Sequence, residues 1–284
     1  MRRLLPALLA ALSITWTTGA AVAEPDGAEP DYEYVALGDS SAAGPLIPQQ
    51  DPAAPGCLRS MRNWPSVLAD RIGARLTDVT CSGAVTDDLA GSQSTFDGTQ
   101  PPQADALSPS TDLVTLSIGG NDVELVDVAA ACVNLLPQPV GTSCRDELTA
   151  GGRDRLAERI DAYAAEFAAA LDLISERAPG ARVVVVGYGT YIRPGGCYPD
   201  QPIWARDADY LQGSIHRLNV LFAREAAEHG ASFVDVETPS VGHDACASSR
   251  ARWFEGVAAT GPAAPMHPNA RGMAAIGGIV ADQL

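Results

Sequence analysis

Residues 34–40 read YVALGDS, an apolar run that ends in glycine, aspartate and serine. A short run of this kind, followed by a turn-forming glycine, predicts a β-strand at residues 32–37. Because almost every side chain in the run is apolar, the strand is expected to be buried on both faces, as strands of parallel sheets are. The serine then lies just beyond the carboxyl end of the strand.

The same alternation of apolar runs and helical patterns continues along the chain and predicts the α/β class. Strands that are apolar on both faces and separated by helices indicate a parallel sheet with helices on each side and right-handed crossovers. No internal repeat or low-complexity linker interrupts the pattern, so residues 24–284 are expected to form a single three-layer α/β/α domain. The other predicted strands are 76–81, 112–118, 182–186 and 232–236; the predicted helices are 64–72, 153–178, 205–228 and 269–284; and long loops are predicted at 91–109 and 193–205.

The amino terminus differs from the rest of the chain. Two arginines precede an apolar run at 4–14, and residues 21–23 read AVA, a small-residue cleavage pattern. This layout predicts a secretory signal peptide at 1–23 and a mature chain that begins near Glu24. A short membrane anchor is the alternative, but the run is shorter than the ~20 apolar residues that span a bilayer, and no later segment approaches that length. The protein is therefore expected to be extracellular, without an integral membrane segment.

The charge balance narrows the range of partners. The formal net charge is −16, from 19 basic and 35 acidic residues. Binding to nucleic acid needs clustered cations that neutralise phosphates, so a nucleic acid is not an expected partner. A monomer is the simplest expectation for the quaternary state.

Six cysteines follow the predicted signal peptide. An even count in an exported chain favours three disulfides, although six cysteines allow 15 connectivities. The spacings contain no C-x-x-C pair and no Cys/His cluster of the zinc type, so no metal site is expected. Pairing of sequence neighbours is the simplest proposal, and the sequence alone leaves the other connectivities open. The neighbour pairs are Cys57 with Cys81, Cys132 with Cys144, and Cys197 with Cys246.

Three predicted strands lead into turns that together offer the groups of an acyl-transfer site. The first strand leads to Ser40, the second to Gly83 and the third to Asn121. The carboxyl ends of parallel strands share one rim of a sheet. That rim would hold a nucleophilic hydroxyl, a backbone N–H and a side-chain amide, and an acyl-transfer site needs such a nucleophile and such donors for the oxyanion. Each turn alone is typical of a helix cap or a tight turn, so it is the combination that indicates chemistry.

A general base is also required, and His267 is the best placed of the four histidines. It lies in a loop just before the last predicted helix, which lets it reach back to the rim. His216 and His229 fall within or at the end of a predicted surface helix, where solvated side chains are expected, and His243 lies in a polar loop.

Other residues near the rim receive structural interpretations. Asp39 is expected to stabilise its turn by accepting backbone N–H groups rather than to act as a catalytic acid. The stretch 188–191 follows the fourth strand and is a candidate to face the site. Four large aromatic residues could line an acyl groove, but such residues usually belong to the core, and these are expected to be core residues. They are Trp64, Trp204, Trp253 and Phe254.

Four motifs resemble the sequence blocks of the SGNH (GDSL) hydrolases. They span residues 35–272, which is essentially the whole predicted mature chain, and the four together are highly specific. The string VALGDS at 35–40 resembles block I, Gly83 is similar to the glycine of block II, GGND at 119–122 matches the GxND of block III, and His267, Pro268, Asn269 and Gly272 resemble block V.

The resemblance implies a flavodoxin-like sheet of five parallel strands and a metal-independent carboxylester hydrolase without a cofactor. It implies Ser40 as nucleophile and His267 as general base. The oxyanion donors would be the Ser40 N–H, the Gly83 N–H and the side-chain amide of Asn121. The six cysteines are most similar to those of the secreted bacterial lipase and phospholipase A1 branch, in which neighbouring cysteines pair.

One position departs from the family pattern. Most members carry an aspartate three residues before the histidine, whereas this chain has Ala264 there and no carboxylate between residues 256 and 267. The imidazole Nδ1–H still needs an acceptor to fix its tautomer. Some members of the branch use a main-chain carbonyl, and the carbonyl of Ala264 or of its neighbour Pro265 is predicted to serve here. A carboxylate at Nδ1, for example from Asp122 or Asp244, would rule out such a Ser–His dyad.

The sequence therefore predicts a secreted serine carboxylester hydrolase that acts on acyl esters or lipids through an acyl-enzyme on Ser40. Phospholipase A1 activity is left open. A carbohydrate deacetylase of the acetylxylan-esterase type is the enzymatic alternative, because the same dyad serves deacetylation. A non-catalytic secreted binding protein that retains only the fold is the alternative from another class.

Overall fold

The computed structural model describes residues 32–284, which are built around a five-stranded parallel sheet and a separate two-stranded hairpin. The strands are β1 (Glu33–Gly38), β2 (Arg75–Asp78), β3 (Gln93–Thr95), β4 (Gly98–Gln100), β5 (Leu113–Ser117), β6 (Arg182–Val186) and β7 (Ser232–Val234). The order in the main sheet is β2-β1-β5-β6-β7, and every neighbouring pair is parallel. The central strand β5 is buried along its whole length because helices cover both faces of the sheet.

Two pairs of helices form the outer layers. The helices are α1 (Ser40–Ala43), α2 (Trp64–Ile72), α3 (Leu125–Ala131), α4 (Cys144–Leu148), α5 (Arg155–Arg177), α6 (Ala205–Glu228) and α7 (Ala270–Ala281). Helix α2 packs against α7, and α5 packs against α6. Their ends follow local chemistry: Asn63 caps α2 by accepting the Ser66 N–H, and Gly73 ends it in the left-handed conformation.

The five strands and four helices predicted from the sequence are confirmed, with shifts of a few residues at their ends. The second strand ends at Asp78 instead of residue 81 because the Asp78 carboxylate accepts the Thr80 N–H and turns the chain. The segment 91–109 was expected to be a loop, but it contains the hairpin β3–β4. Helices α3 and α4 were not predicted, since each is too short to show a sustained apolar period.

Three disulfides join sequence neighbours, as the resemblance implied. They are Cys57–Cys81, Cys132–Cys144 and Cys197–Cys246. The first links the loop after α1 to the chain just beyond β2, and the second closes the loop between α3 and α4.

The predicted signal peptide at 1–23 lies outside the described residues, as does the start of the predicted domain at residue 24. Within residues 32–284, each helix is too short or too polar to traverse a bilayer.

Candidate active site

Ser40 begins the short helix α1, directly after β1. Asp39 caps this helix, since its Oδ1 accepts the Ser41 N–H at 2.7 Å. Gly38 has a φ of +149°, and a side chain at this position would press against the Ser117 carbonyl oxygen of β5. Glycine thus allows β1 to approach β5 closely and then turn sharply. This turn places Ser40 at the carboxyl end of the sheet with 8% of its surface exposed.

Gln103 secures the same turn from outside the main sheet. Its Oε1 accepts the Gly38 N–H at 2.8 Å, and its Nε2 donates to the Gly38 carbonyl oxygen at 3.1 Å. The side chain is buried, so the two hydrogen bonds are shielded from water. Sequence analysis missed this residue, because a single glutamine in a predicted loop carries no motif signal.

His267 meets Ser40 across 227 positions of sequence. Its Nε2 lies 2.7 Å from Ser40 Oγ, and its Nδ1 lies 2.7 Å from the carbonyl oxygen of Pro265. Burial lowers the pKa of His267, and the hydrogen bond to Pro265 offsets part of that shift. The neutral imidazole, which is the form that can accept a proton, therefore persists to a lower pH than for an exposed histidine.

Of the two carbonyls predicted to orient the imidazole, Pro265 makes the contact and Ala264 does not. Met266 has a φ of +58°, and this left-handed backbone conformation turns the Pro265 carbonyl back towards the imidazole of His267. Ala264 instead donates its N–H to the Pro45 carbonyl oxygen at 3.0 Å. A proline after Ala264 restricts that residue, but it does not aim its carbonyl at His267.

The two carboxylates that would have ruled out a dyad have other partners. Asp122 Oδ1 accepts the Thr86 N–H at 2.8 Å, and Asp244 Oδ1 accepts Arg193 Nε at 3.0 Å. Among residues 32–284, no carboxylate is hydrogen-bonded to His267.

The predicted oxyanion donors lie on turns that are tied together. Asn121 Nδ2 donates to the Ala84 carbonyl oxygen at 2.8 Å, which links the turn after β5 to the loop that carries Gly83. A primary amide has two N–H groups, so the second stays available. Neither the Ser40 N–H nor the Gly83 N–H has an acceptor within the described part of the chain.

Tyr188 joins two of these turns, which fits the expectation that 188–191 faces the site. Its hydroxyl donates to Asp39 Oδ2 at 2.6 Å and accepts the Gly120 N–H at 2.8 Å. Burial raises the pKa of Asp39 to about 6, even though donation from Tyr188 and Ser41 acts in the opposite direction. One Asp39 oxygen accepts a backbone N–H of the turn and the other accepts the Tyr188 hydroxyl, so the side chain has the turn-stabilising role that was expected.

A pocket opens beside Ser40 and His267, and both residues line it. Its lining includes polar groups, among them Asp39 and Asn121, and a larger number of aliphatic side chains. An apolar cavity with a few convergent polar groups is the usual form of a small-molecule site. The wall comes mainly from α3, from α6 and from the loop after β6. Its aliphatic residues are Leu125, Val126, Ala129, Ile192, Leu211 and Ile215.

The aromatic residues considered for an acyl groove do not line this pocket. Trp64, Trp204 and Phe254 are buried, as expected of core residues. Trp253 is half-buried and stacks on His243, with ring centroids 4.1 Å apart. The unpredicted helix α3 supplies part of the wall instead.

The model of the GDSL-like Lipase/Acylhydrolase family matches residues 36–275. The chain belongs to this family. Among curated members, Lipase 2 of Streptomyces coelicolor is 40% identical over 282 residues, covering 96% of this chain and 93% of that protein.

Two solved structures agree in fold. Phospholipase A1 from Streptomyces albidoflavus NA297 superposes with a TM-score of 0.69 at 26% identity, covering 89% of this chain and 98% of the other. The extracellular lipase from Streptomyces rimosus superposes with a TM-score of 0.68 at 28% identity, with the same coverage. The chain is thus a GDSL-family serine hydrolase of carboxylic esters, and the family and fold expected from the sequence are confirmed.

Proposed function

We propose that Ser40 is the nucleophile and His267 the general base of this ester hydrolase. The observation that carries the proposal is the 2.7 Å separation of His267 Nε2 and Ser40 Oγ. His267 takes the hydroxyl proton as Oγ attacks the ester carbonyl, then passes it to the departing alcohol as the acyl-enzyme forms. It next takes a proton from a water molecule as that water attacks the acyl carbonyl, and returns the proton to Ser40 Oγ as the bond to the acyl group breaks and the acid leaves.

The imidazole works in a dyad with the Pro265 carbonyl. A hydrogen bond from Nδ1–H to this oxygen fixes the tautomer whose Nε2 lone pair faces Ser40. A carbonyl offers a dipole in place of a full negative charge. It therefore orients the ring while stabilising the imidazolium less than a carboxylate does.

Three donors would stabilise the negative charge that develops on the attacked carbonyl oxygen. They are the Ser40 N–H, the Gly83 N–H and the free amide N–H of Asn121. The two backbone donors have no protein acceptor among residues 32–284, which supports this role. Donors held in place before reaction cost no reorganisation in the transition state.

The substrate we propose is an ester of an aliphatic acyl chain, in the class of lipids. The aliphatic walls support this choice, because they offer apolar contacts to the methylene groups of an acyl chain that an acetyl group lacks. Deacetylation of a polysaccharide is the competing activity. Phospholipid cleavage is a narrower proposal, suggested by the phospholipase A1 of S. albidoflavus.

We place the enzyme outside the cell, as a monomer that acts without nucleic acid. Three disulfides support export, since such bonds persist in oxidising compartments. The signal-peptide pattern at 1–23 supports export as well, and the similar lipase of S. rimosus is extracellular.

The nucleophile is tested by labelling with a fluorophosphonate probe, which reacts quickly only with an activated serine. Wild-type protein should be labelled, and Ser40→Ala and His267→Ala should not. Asn121→Ala should keep its fold and lose about a hundred- to a thousand-fold in kcat, the usual cost of one oxyanion donor. Unchanged ester hydrolysis by Ser40→Ala would disprove the assignment.

The substrate class is tested by comparing p-nitrophenyl esters of increasing chain length with acetylated xylan. The acyl-lipid proposal expects kcat/KM to rise beyond the acetate ester. A maximum at acetate, together with release of acetate from xylan, would favour the deacetylase instead.

A further inference from the structure

The loop of residues 132–144, between α3 and α4, carries an exposed aliphatic tip. Leu135 is 81% exposed, Leu136 56% and Val140 57%. Three such side chains fall within six residues, and clustered exposed apolar residues on a soluble protein mark contact sites. We call this segment loop 132–144 and these three side chains its tip.

The exposure of the tip is built into the loop. The Cys132–Cys144 disulfide closes its base, and Asn134 braces it by donating to the Thr142 carbonyl oxygen at 2.9 Å. On the inner side, the Leu136 carbonyl oxygen accepts Trp204 Nε1 at 3.0 Å. These bonds hold the backbone in place, so the tip cannot turn inward without breaking them.

Loop 132–144 adjoins the candidate active site through two helices. Val126 and Ala129 of α3 line the pocket, and Cys132 follows Ala129 by three residues, a rise of about 4.5 Å along a helix. On the other side, Trp204 immediately precedes α6, whose Leu211 also lines the pocket. The end of α3 and the start of α6, the two helices that supply most of the aliphatic wall, thus both lie next to loop 132–144.

The chemistry of the loop suits a lipid surface better than a protein partner. Residues 128–144 contain no charged side chain, although the chain carries a net charge of −16. The tip is wholly aliphatic, whereas protein interfaces concentrate their binding energy in Trp, Tyr and Arg. Aliphatic side chains gain about 25 cal/mol per Å² on leaving water, without any need for a complementary surface.

We infer that loop 132–144 inserts its tip into the surface of aggregated, uncharged or zwitterionic lipid and holds the adjoining pocket against it. This inference rests on the proposed acyl-lipid substrate. It gives the enzyme an affinity for the lipid–water interface that is separate from binding of a single ester molecule in the pocket. The enzyme should then hydrolyse esters in vesicles or droplets faster than it hydrolyses dissolved esters.

Binding is tested by co-sedimentation with phosphatidylcholine vesicles, using Ser40→Ala protein so that the lipid stays intact. Adding L135S, L136S and V140T should lower the vesicle partition coefficient tenfold or more. In the background with active Ser40, the same three changes should lower the rate on an emulsified long-chain ester at least fivefold. The rate on dissolved p-nitrophenyl butyrate should stay within twofold, because the tip does not line the pocket.

The matched control is the double variant V220S/V241S, which removes two exposed aliphatic side chains (54% and 69%) that lie away from loop 132–144. It should bind vesicles like its parent. Equal binding by the tip variant and its parent would overturn the inference. So would a tip variant that changes only the oligomeric state in analytical ultracentrifugation, since the tip would then contact a second copy.

The two proposals fail separately. Loss of vesicle binding on changing the tip supports docking even if the chain-length series has its maximum at acetate, an outcome that would refute only the proposed acyl-lipid substrate. Conversely, full vesicle binding by the tip variant refutes docking while probe labelling of Ser40 stands.

Discussion

The hydroxyl of Tyr188 donates a 2.6 Å hydrogen bond to Oδ2 of Asp39, a carboxylate 149 positions earlier in the chain. The same hydroxyl accepts the N–H of Gly120, the residue before Asn121. One phenol group therefore connects the turn that presents Ser40 to the turn that presents the Asn121 amide. Both side chains are buried, so water cannot readily replace these bonds.

Replacing Tyr188 with phenylalanine should loosen the relation between nucleophile and oxyanion donor. The change leaves a buried carboxylate oxygen and a buried N–H without partners, which should lower the free energy of unfolding by about 1–3 kcal/mol. We expect kcat to fall roughly tenfold with little change in KM, because misplaced donors weaken transition-state binding. Denaturant unfolding and steady-state kinetics on a dissolved ester measure the two effects.

Tyr34→Phe is the matched control for that experiment. Tyr34 is also buried, and its hydroxyl is 2.7 Å from Thr115 Oγ1, but it lies near the start of β1, away from Ser40. It should lose stability and keep its kcat. A similar loss of kcat in both variants would mean that Tyr188 acts only through stability.

Asp39 should make stability depend on pH in a predictable direction. Burial raises its pKa to about 6, whereas an unfolded chain has a value of about 3.9. Between these values the folded state holds a proton that the unfolded state has lost, so the contribution of Asp39 to stability falls as pH rises. Asp39→Asn removes this titration and keeps a capping side chain.

The measurement is the difference in unfolding free energy between wild type and Asp39→Asn at pH 4 and at pH 7. From pH 4 to pH 7, the variant should gain stability relative to wild type by up to about 3 kcal/mol, because the pKa of Asp39 differs by roughly two pH units between the folded and unfolded states. A difference that stays constant across this range would show that Asp39 has the same pKa in both states.

The fall of kcat/KM at low pH should result from protonation of His267. The base must be neutral to accept the serine proton, and burial lowers the pKa of His267 below its ordinary value of about 6.5. Activity should therefore persist below pH 6.5 and decline at lower pH as the imidazole is protonated. Because Asp39 titrates nearby, the profile is measured for wild type and for Asp39→Asn. The fall at low pH should remain in the variant, and its disappearance there would assign it to Asp39.

The features of the structure that could be predicted from the sequence are those that depend only on neighbouring residues. The stretch 182–186 has the same bounds in prediction and structure, because a run of four valines identifies a buried strand by itself. Ser40 and His267 were selected because each lies in a short motif at the end of a predicted element. Such signals need only neighbouring residues.

Features that depend on distant contacts or on a single backbone angle were less accessible. The choice of the Pro265 carbonyl over that of Ala264 depends on the left-handed Met266, and nothing in the residue types around Met266 indicates that conformation. The roles of Gln103 and Tyr188 depend on partners 65 and 149 positions away. The wall from α3 was missed because seven residues give too few turns for a helical period.

Gly272, at the start of α7, should be intolerant of alanine despite the helix-forming preference of that residue. In an exposed helix interior, the change from glycine to alanine stabilises by about 1 kcal/mol. At Gly272, however, a methyl group would collide with the Trp253 carbonyl oxygen, and backbone cannot yield as a side chain does. Overpacking of this kind costs about 1–3 kcal/mol, so we expect a net loss of stability. Because Asn269 caps α7 just after His267, kcat should fall as well.

Gly278→Ala supplies the comparison within the same helix. A methyl group there would meet only the flexible end of Arg71, with its nearest atom at 3.3 Å, so the change should be neutral or stabilise by up to about 1 kcal/mol. Thermal unfolding and ester hydrolysis of both variants decide between propensity and packing. If Gly272→Ala melts higher than wild type and retains full activity, the close approach of α7 to Trp253 does not constrain the loop that carries His267.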